Sequence, residues 1–274
     1  PNAIHFKSGI SADAGLTVGT NLQVLGISKT IGVGFFDAGI SCAVGATFTT
    51  DIDVNGIKVG TGVNSGTNNT VLGEGALATT GTGADNTAIG YNALNSNISG
   101  KKNVAIGPEA LAGTTQGTSN IGIGWQAGGC GAYDGEGNIG IGQYCCRQVS
   151  SGEYNVGVGH NSLNSTTSGS DNVAMGQHSL GLNTSGSENI GMGPFTLSYN
   201  TTGGNNIALG AYCLQENRTG VKNIAIGNLA LDKNLTGGNN LAIGDHALTA
   251  TTHGNHNIGL GSYAISNIRN GNYN

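Results

Sequence analysis

The chain of 274 residues contains 51 glycines and only three prolines, and 9% of its residues are charged, with a formal net charge of −5. The glycines do not recur at every third position, which excludes collagen, and the scarcity of proline argues against a disordered linker. The sequence has no basic stripe, no apolar run of about 18 residues and no signal-peptide pattern. We therefore expect no nucleic-acid partner and no membrane insertion.

Residues 1–68 do not follow the repeat that organises the rest of the chain. Apolar and polar residues alternate over Leu16–Val24 and again over Ile52–Val59, which is the period of half-buried strands. Asn55-Gly56 lies between apolar alternations and predicts a hairpin turn or a corner. We interpret residues 1–68 as a small N-terminal β module, whose last part is a joint to the repeats.

Residues 69–274 consist of twelve copies of a 17-residue repeat, with one step of 18 between Asn120 and Asn138. Position 1 is asparagine, positions 5 and 15 are glycine, positions 2 and 4 are mostly branched and apolar, and position 3 is Ala or Gly after the first copy. A fixed short period is typical of a solenoid. We therefore expect an all-β fold, a parallel β-solenoid or β-roll. The position 1 asparagine and position 5 glycine recur, for example, as Asn86 and Gly90, Asn103 and Gly107, and Asn223 and Gly227.

The alternation of residue sizes predicts the shape of each coil. Because neighbouring strand residues point to opposite sides, the small residues of positions 3 and 8 should fill a narrow interior, and the bulky ones of positions 2 and 4 should face another surface outside. We expect both glycine positions to form corners with a positive φ. The position 1 asparagine should tolerate left-handed backbone and stack as an amide ladder. An exposed apolar stripe of this length predicts a closed oligomer.

Positions 6 and 7 are the main candidates for binding, because they vary and are often aromatic. One interpretation is a stacking ladder that fastens neighbouring coils, and the other is a platform for cell-surface glycans. The irregular loop at residues 128–136 is a further candidate contact site. The candidate residues are Tyr91, Trp125, Tyr144, His160, His178, Phe195, Tyr212, His246 and Tyr263.

Patterns typical of enzymes and metal proteins are missing from the sequence. The Gly-x-Gly segments do not open predicted helices, and the histidines lack metal-ligand spacing, so we expect neither catalysis, nor a cofactor, nor a metal. Cys145 and Cys213 occupy a small-residue position of the repeat and predict core thiols, while a bridge between Cys130 and Cys146 stays open. Five Asn-x-Ser/Thr matches fall in one repeat column, where turn chemistry and glycosylation are both possible.

Asn103–Gly107 (NVAIG) and Asn223–Gly227 (NIAIG) resemble the head repeat of trimeric autotransporter adhesins, which form a parallel β-roll. The longer unit Asn223–Thr236 and the lead-in Asp53–Gly60 are similar to repeats of bacteriophage tail-fibre and virion structural proteins, notably of phages that infect cyanobacteria. The resemblance implies a homotrimer, an extracellular place on a virion tail fibre or a cell surface, and attachment to a host cell-surface glycan or protein. The alternative is a subunit of an extracellular adhesive filament or a bacterial surface adhesin.

The repeat array reaches Asn274 at the first position of a thirteenth copy. A terminal coil exposes unpaired strand edges and core. We therefore expect either that more chain follows or that the assembly stacks end to end.

Overall fold

The computed structural model describes residues 52–54, 57–62, 66–79, 81–129, 134–266 and 269–274. In these ranges every regular element is a β-strand, and all fourteen strands belong to one sheet in chain order. The predicted all-β parallel β-solenoid is confirmed. Residues 1–51, the larger part of the predicted N-terminal module, lie outside the described residues.

A hairpin begins the sheet. Strands β1 (Ile52–Val54) and β2 (Ile57–Gly60) pair antiparallel, as predicted from Asn55-Gly56, although both turn residues lie outside the described residues. Strand β2 then pairs antiparallel with β3 (Thr70–Leu72), the strand of the first repeat. The hairpin and the repeats therefore share one continuous sheet.

Eleven more three-residue strands follow β3, each parallel to its neighbours. Their register keeps equivalent repeat positions opposite one another, as in Ile207, Ile224 and Leu241. At about 4.8 Å between strands, the twelve parallel strands extend over about 50 Å. The bounds are β4 Thr87–Ile89, β5 Val104–Ile106, β6 Ile121–Ile123, β7 Ile139–Ile141, β8 Val156–Val158, β9 Val173–Met175, β10 Ile190–Met192, β11 Ile207–Leu209, β12 Ile224–Ile226, β13 Leu241–Ile243 and β14 Ile258–Leu260.

The single 18-residue step does not disturb the strand register, because Ile121 pairs with Ile139 as in the other coils. Backbone hydrogen bonds between adjacent coils continue to Gly129, whose carbonyl oxygen accepts from the Gly113 N–H. They resume at Asp134, whose N–H donates to Ser150 O. The extra residue therefore falls within residues 130–133. These residues, the centre of the predicted bulging loop, lie outside the described residues.

The coil interior is thin and closely packed. Ala105 at position 3 and Ala110 at position 8 are fully buried, as predicted, and so is Leu111 at position 9. A Cβ on Gly122 would lie 2.9 Å from Leu111 Cγ and 2.7 Å from the Ala127 carbonyl oxygen. Position 3 admits only small residues because the opposite side of the coil and its leucine already occupy the space.

The corners agree with the predictions only in part. Glycine at position 5 has positive φ, +135° at Gly227. The same prediction for position 15 is wrong: Gly100 lies outside the left-handed region, and its glycine is required because a Cβ would clash with the Gly117 carbonyl oxygen. The prediction of left-handed backbone at position 1 is also wrong, since the residue before it, Lys102 (φ 56°), takes that conformation before Asn103.

Two further residues of each coil are left-handed, at positions 7 and 9. In one coil these are Asn92 (φ 53°) and Leu94 (φ 49°). Left-handed backbone costs roughly 1–2 kcal/mol per residue without glycine. The cost is offset because the turns align backbone donors with adjacent coils: the Asn92 N–H donates to Glu74 O at 2.9 Å, and the Leu94 N–H donates to Ala110 O at 3.0 Å.

The predicted amide ladder at position 1 is confirmed. Asn240 donates from its backbone N–H and from Nδ2 to Asn223 Oδ1, both at 3.0 Å, and Nδ2 also donates to Gly254 O at 2.8 Å. Both asparagines are buried. Because buried polar groups are unfavourable unless they are paired, this column holds the coils in one register.

Candidate functional site

One outer surface of the solenoid is formed by the strands, and we call the side chains of positions 2 and 4 in β3–β14 the strand face. Ile224 and Ile226 are 38% and 37% exposed, whereas Ala225 between them is fully buried. All strand-face residues are apolar except Thr70 and Thr87. The result is a continuous apolar stripe, about 50 Å long at about 4.8 Å per strand.

Positions 6–11 of each coil form the opposite wall, which we call the return wall; residues 228–233 are one example. Its inward side chains at positions 8 and 9, such as Ala230 and Leu231, share the core with the strand residue Ala225. Outward side chains of the two walls therefore leave the coil on opposite sides. The return wall carries the aromatic residues that the sequence singled out.

Six of these aromatic residues form one continuous column, the aromatic ladder. Neighbouring ring centroids are 5.1–6.1 Å apart, and Phe195 and Tyr212 are nearly parallel at 2°. Such pairs are worth about 0.5–1.5 kcal/mol each beyond burial. The geometry favours the stacking interpretation, because every inner ring contacts a ring in each adjacent coil and Phe195 is stacked on both sides. The ladder consists of Trp125, Tyr144, His160, His178, Phe195 and Tyr212.

The other three predicted aromatics lie apart from the ladder. Leu229 occupies position 7 of the next coil and interrupts the column, after which His246 and Tyr263 stack at 4.9 Å. Tyr91 is separated from Trp125 by the coil of Asn103, which has proline and glutamate at positions 6 and 7. A role of these residues in binding stays a prediction.

His178 is held inside the ladder as a neutral ring. Burial, and to a lesser degree the neighbouring His160, lower the pKa of its imidazole. Its ring stacks on Phe195 at 5.1 Å with an angle of 14°. The ladder therefore presents an uncharged aromatic surface here at neutral pH.

Beside the ladder lies a groove of about 430 Å³. His178 and Phe195 form one side, and Leu182 and Tyr199, at position 11 of their coils, form the other. Sequence reasoning missed Leu182 and Tyr199, because position 11 shows no regular pattern. The sequence feature that indicates this groove is a glycine at position 10, Gly181, close to two large apolar residues at position 11 of adjacent coils. Both apolar side chains are exposed in the structure.

Five Asn-x-Ser/Thr asparagines share one repeat column. Four of them, Asn183, Asn200, Asn217 and Asn234, form a second interior column of amide hydrogen bonds, and Asn97 bonds to Gly100 within its own coil. Asn200 Nδ2 donates to Asn183 Oδ1 at 2.8 Å and to Gly203 O at 2.9 Å. The folded coil gives no access to these amides, which favours the turn and core interpretation over glycosylation. All five are fully buried: Asn97, Asn183, Asn200, Asn217 and Asn234.

The described cysteines are core residues. Cys145 and Cys213 are fully buried, as predicted, and Cys146 takes the place of the usual position 9 leucine. Burial raises the pKa of the Cys213 thiol to about 12, and a hydrogen bond with Cys145 together with burial raises the pKa of Cys146. The thiols of Cys146 and Cys213 stay protonated at neutral pH. Cys130 lies outside the described residues.

Over the described ranges, no three His, Cys, Asp or Glu side chains come together in an arrangement that could hold a metal ion. The same ranges contain no helix with the length and hydropathy needed to cross a bilayer.

Comparisons with known protein families, curated proteins and solved structures find no match to this chain.

Proposed function

We propose that this chain is a structural fibre protein, the shaft or head of a homotrimeric fibre of the phage tail-fibre type, which serves attachment to a host cell surface. The observation that carries the proposal is the strand face. An uninterrupted apolar stripe across twelve strands is larger than the isolated patches that a monomer exposes. Copies of this chain bury it when they pack around a common axis, since closed symmetry covers equivalent surfaces.

The arrangement of the two walls supports a fibre that also makes contact with a host. The strand face is apolar and nearly uniform, as self-association requires, whereas the return wall on the opposite side varies from coil to coil. Assembly through the strand face leaves the return wall facing outward. In the described ranges the return wall carries the aromatic ladder and the groove beside it.

The double variant Ile224→Asp, Ile226→Asp tests the assembly. Four new charges or more would be buried in any oligomer that packs through the strand face, and burying unpaired charge is strongly unfavourable. We expect light scattering to give three times 27.3 kDa for the wild type and a lower mass for the variant.

A matched control places two aspartates elsewhere. Ile98 and Val221 are exposed to a similar degree but lie outside the strand face. The variant Ile98→Asp, Val221→Asp should keep the wild-type mass. A monomeric wild type, or a strand-face variant of unchanged mass, contradicts the proposal.

The second candidate is a subunit of an extracellular adhesive filament or a bacterial surface adhesin. It is favoured by the same strand face, because a filament subunit also needs a uniform association surface. Electron microscopy of the purified assembly separates the two: discrete fibres of one length support the tail-fibre type, and filaments of variable length support the alternative.

A further inference from the structure

We infer that the groove beside the aromatic ladder is a binding site for a neutral carbohydrate chain. The inference deepens the proposed attachment function and depends on it only for the biological role of the binding. The groove spans the coils that start at Asn155, Asn172 and Asn189 and lies on the return wall. Its volume of about 430 Å³ is in the range of small-ligand sites in proteins, about 300–1,000 Å³.

The groove lies where position 10 of a coil has no side chain. At position 10, Asn95 Nδ2 donates to Gly75 O at 3.1 Å, and Asn164 Nδ2 donates to Tyr144 O at 3.0 Å, so each amide spans the surface back to the preceding coil. The equivalent residue in the next coil is Gly181, which has no side chain to make this bridge. A Cβ there would lie 3.5 Å from the Asn161 carbonyl oxygen.

The apolar part of the groove offers an aromatic face that no other ring covers. Tyr199 is 48% exposed, and among the ring contacts of the described residues it has none. Phe195, by contrast, is stacked between His178 and Tyr212 and presents only its edge. Exposed Leu182 extends the apolar surface next to Tyr199. A pyranose ring has an apolar C–H face of the kind that packs on such a tyrosine.

The polar part of the groove offers hydroxyl and amide groups. Ser198 lines the groove and is only 7% exposed, and its Oγ finds no hydrogen-bond partner in the described part of the chain. A buried hydroxyl without a partner is unfavourable, and rotation about the Cα–Cβ bond lets it meet a ligand hydroxyl. Asn164 is already ordered by its bond to Asn161 Oδ1 at 3.1 Å.

The absence of charge on the groove decides the class of ligand. Its lining consists of Asn, Ser, Gly, Leu, Phe and Tyr residues together with His178. Burial lowers the pKa of His178, so this ring is neutral at neutral pH. A site with neutral donors, neutral acceptors and one open aromatic face suits a molecule with an apolar face and a rim of hydroxyls. An anionic sugar or phosphate would find no counter-charge on the lining.

Two variants remove the site in different ways. Tyr199→Ala removes the open aromatic face. Gly181→Asn fills the groove and restores the amide bridge that Asn164 makes one coil earlier. The backbone of Gly181 is outside the left-handed region. A new Cβ would lie 3.2 Å from His178 O, a tight contact that a shift of a few tenths of an ångström relieves, and Asn164 shows that the equivalent position holds an asparagine in the preceding coil. The matched control is Tyr154→Ala, which removes an equally exposed tyrosine outside the groove.

The test is binding of the full chain to a printed array of neutral, sialylated and sulfated oligosaccharides, with an array of uncharged peptides beside it. We expect binding to neutral oligosaccharides that both groove variants weaken at least about tenfold, while Tyr154→Ala keeps it. Binding to no neutral oligosaccharide, binding only to anionic ones or to peptides, or full binding by Gly181→Asn would overturn the inference. Light scattering of the same samples measures the mass of the assembly. A wrong inference about carbohydrate binding can therefore be distinguished from a wrong proposal about assembly through the strand face.

Discussion

The strand face and the return wall differ in how far their sequences are constrained. Strand positions repeat with little change, because each side chain either fills the thin core, as Ala225 does, or joins the apolar stripe, as Ile224 does. On the return wall positions 8 and 9 are inward, whereas the residue types at position 6 vary widely, as Pro108 and Trp125 show. Under the proposed function, the solenoid separates two tasks within one coil: the strand face serves association, and the return wall serves contacts with other molecules.

The largest effect is expected in the core shared by the two walls. Leu231 is fully buried at position 9. Leu231→Ala should lower the free energy of unfolding by about 3 kcal/mol, because it removes a buried side chain and leaves a cavity in a thin interior. Ile98→Ala, on the exposed surface, should change it by less than about 0.5 kcal/mol. Equal losses in denaturant titrations would show that the interior is not the main source of stability.

The next largest effect on stability is expected in the amide ladder. Asn223 Oδ1 accepts from the backbone N–H and from Nδ2 of Asn240, and Asn223 Nδ2 donates to Gly237 O at 2.8 Å. Asn223→Ala leaves these buried groups unpaired and should cost about 2 kcal/mol in chemical denaturation. Asn228→Ala, which removes only an exposed contact to Asp245, is the control and should be nearly neutral.

The strand register, the small core positions and the asparagine ladder could be predicted from the sequence, because each depends on equivalent positions that stack at a fixed period. The path of the chain between the strands could not be predicted from the sequence. Most left-handed residues at positions 7, 9 and 17, such as Leu94 and Lys102, have side chains, and glycine occurs there only at Gly75, Gly128 and Gly137 among the described residues. Gly100 is required for close approach to Gly117, which depends on contacts between coils. The groove could not be predicted for the same reason: Gly181 and Tyr199 belong to adjacent coils, and their closeness depends on the path of the chain between the strands.

A smaller effect is expected in the aromatic ladder. Phe195 stacks on His178 and on Tyr212. Phe195→Ala should lower the free energy of unfolding by about 1–2 kcal/mol, the lower part of the range for two aromatic pairs, and leave the mass of the assembly unchanged. Tyr91→Ala should change stability little, since no ring pair in the described ranges includes Tyr91. If the two variants melt alike, the ladder does not fasten the coils.

The smallest effect concerns a carboxyl group on the return wall. Burial raises the pKa of Asp232 above its ordinary 3.8, against the opposing effect of Lys233. The folded state therefore disfavours the charged form, and this group's contribution to stability is lost as the pH rises through the range just above 3.8. Asp232→Asn should be more stable than the wild type at pH 7, by up to about 1 kcal/mol, with the difference shrinking at acidic pH. Thermal unfolding of the two proteins across this range, with exposed Asp171→Asn as control, measures the difference; a variant less stable at pH 7 contradicts it.

The most direct measurement of the division between the walls is cysteine cross-linking. Met192 lies on the strand face and Tyr199 on the return wall of the same coil, and the described native cysteines are buried. In an assembly that packs through the strand face around an axis, Met192→Cys should form disulfide-linked dimers on mild oxidation, whereas Tyr199→Cys should not. Cross-linking by Tyr199→Cys alone, or by neither variant, would contradict assembly through the strand face.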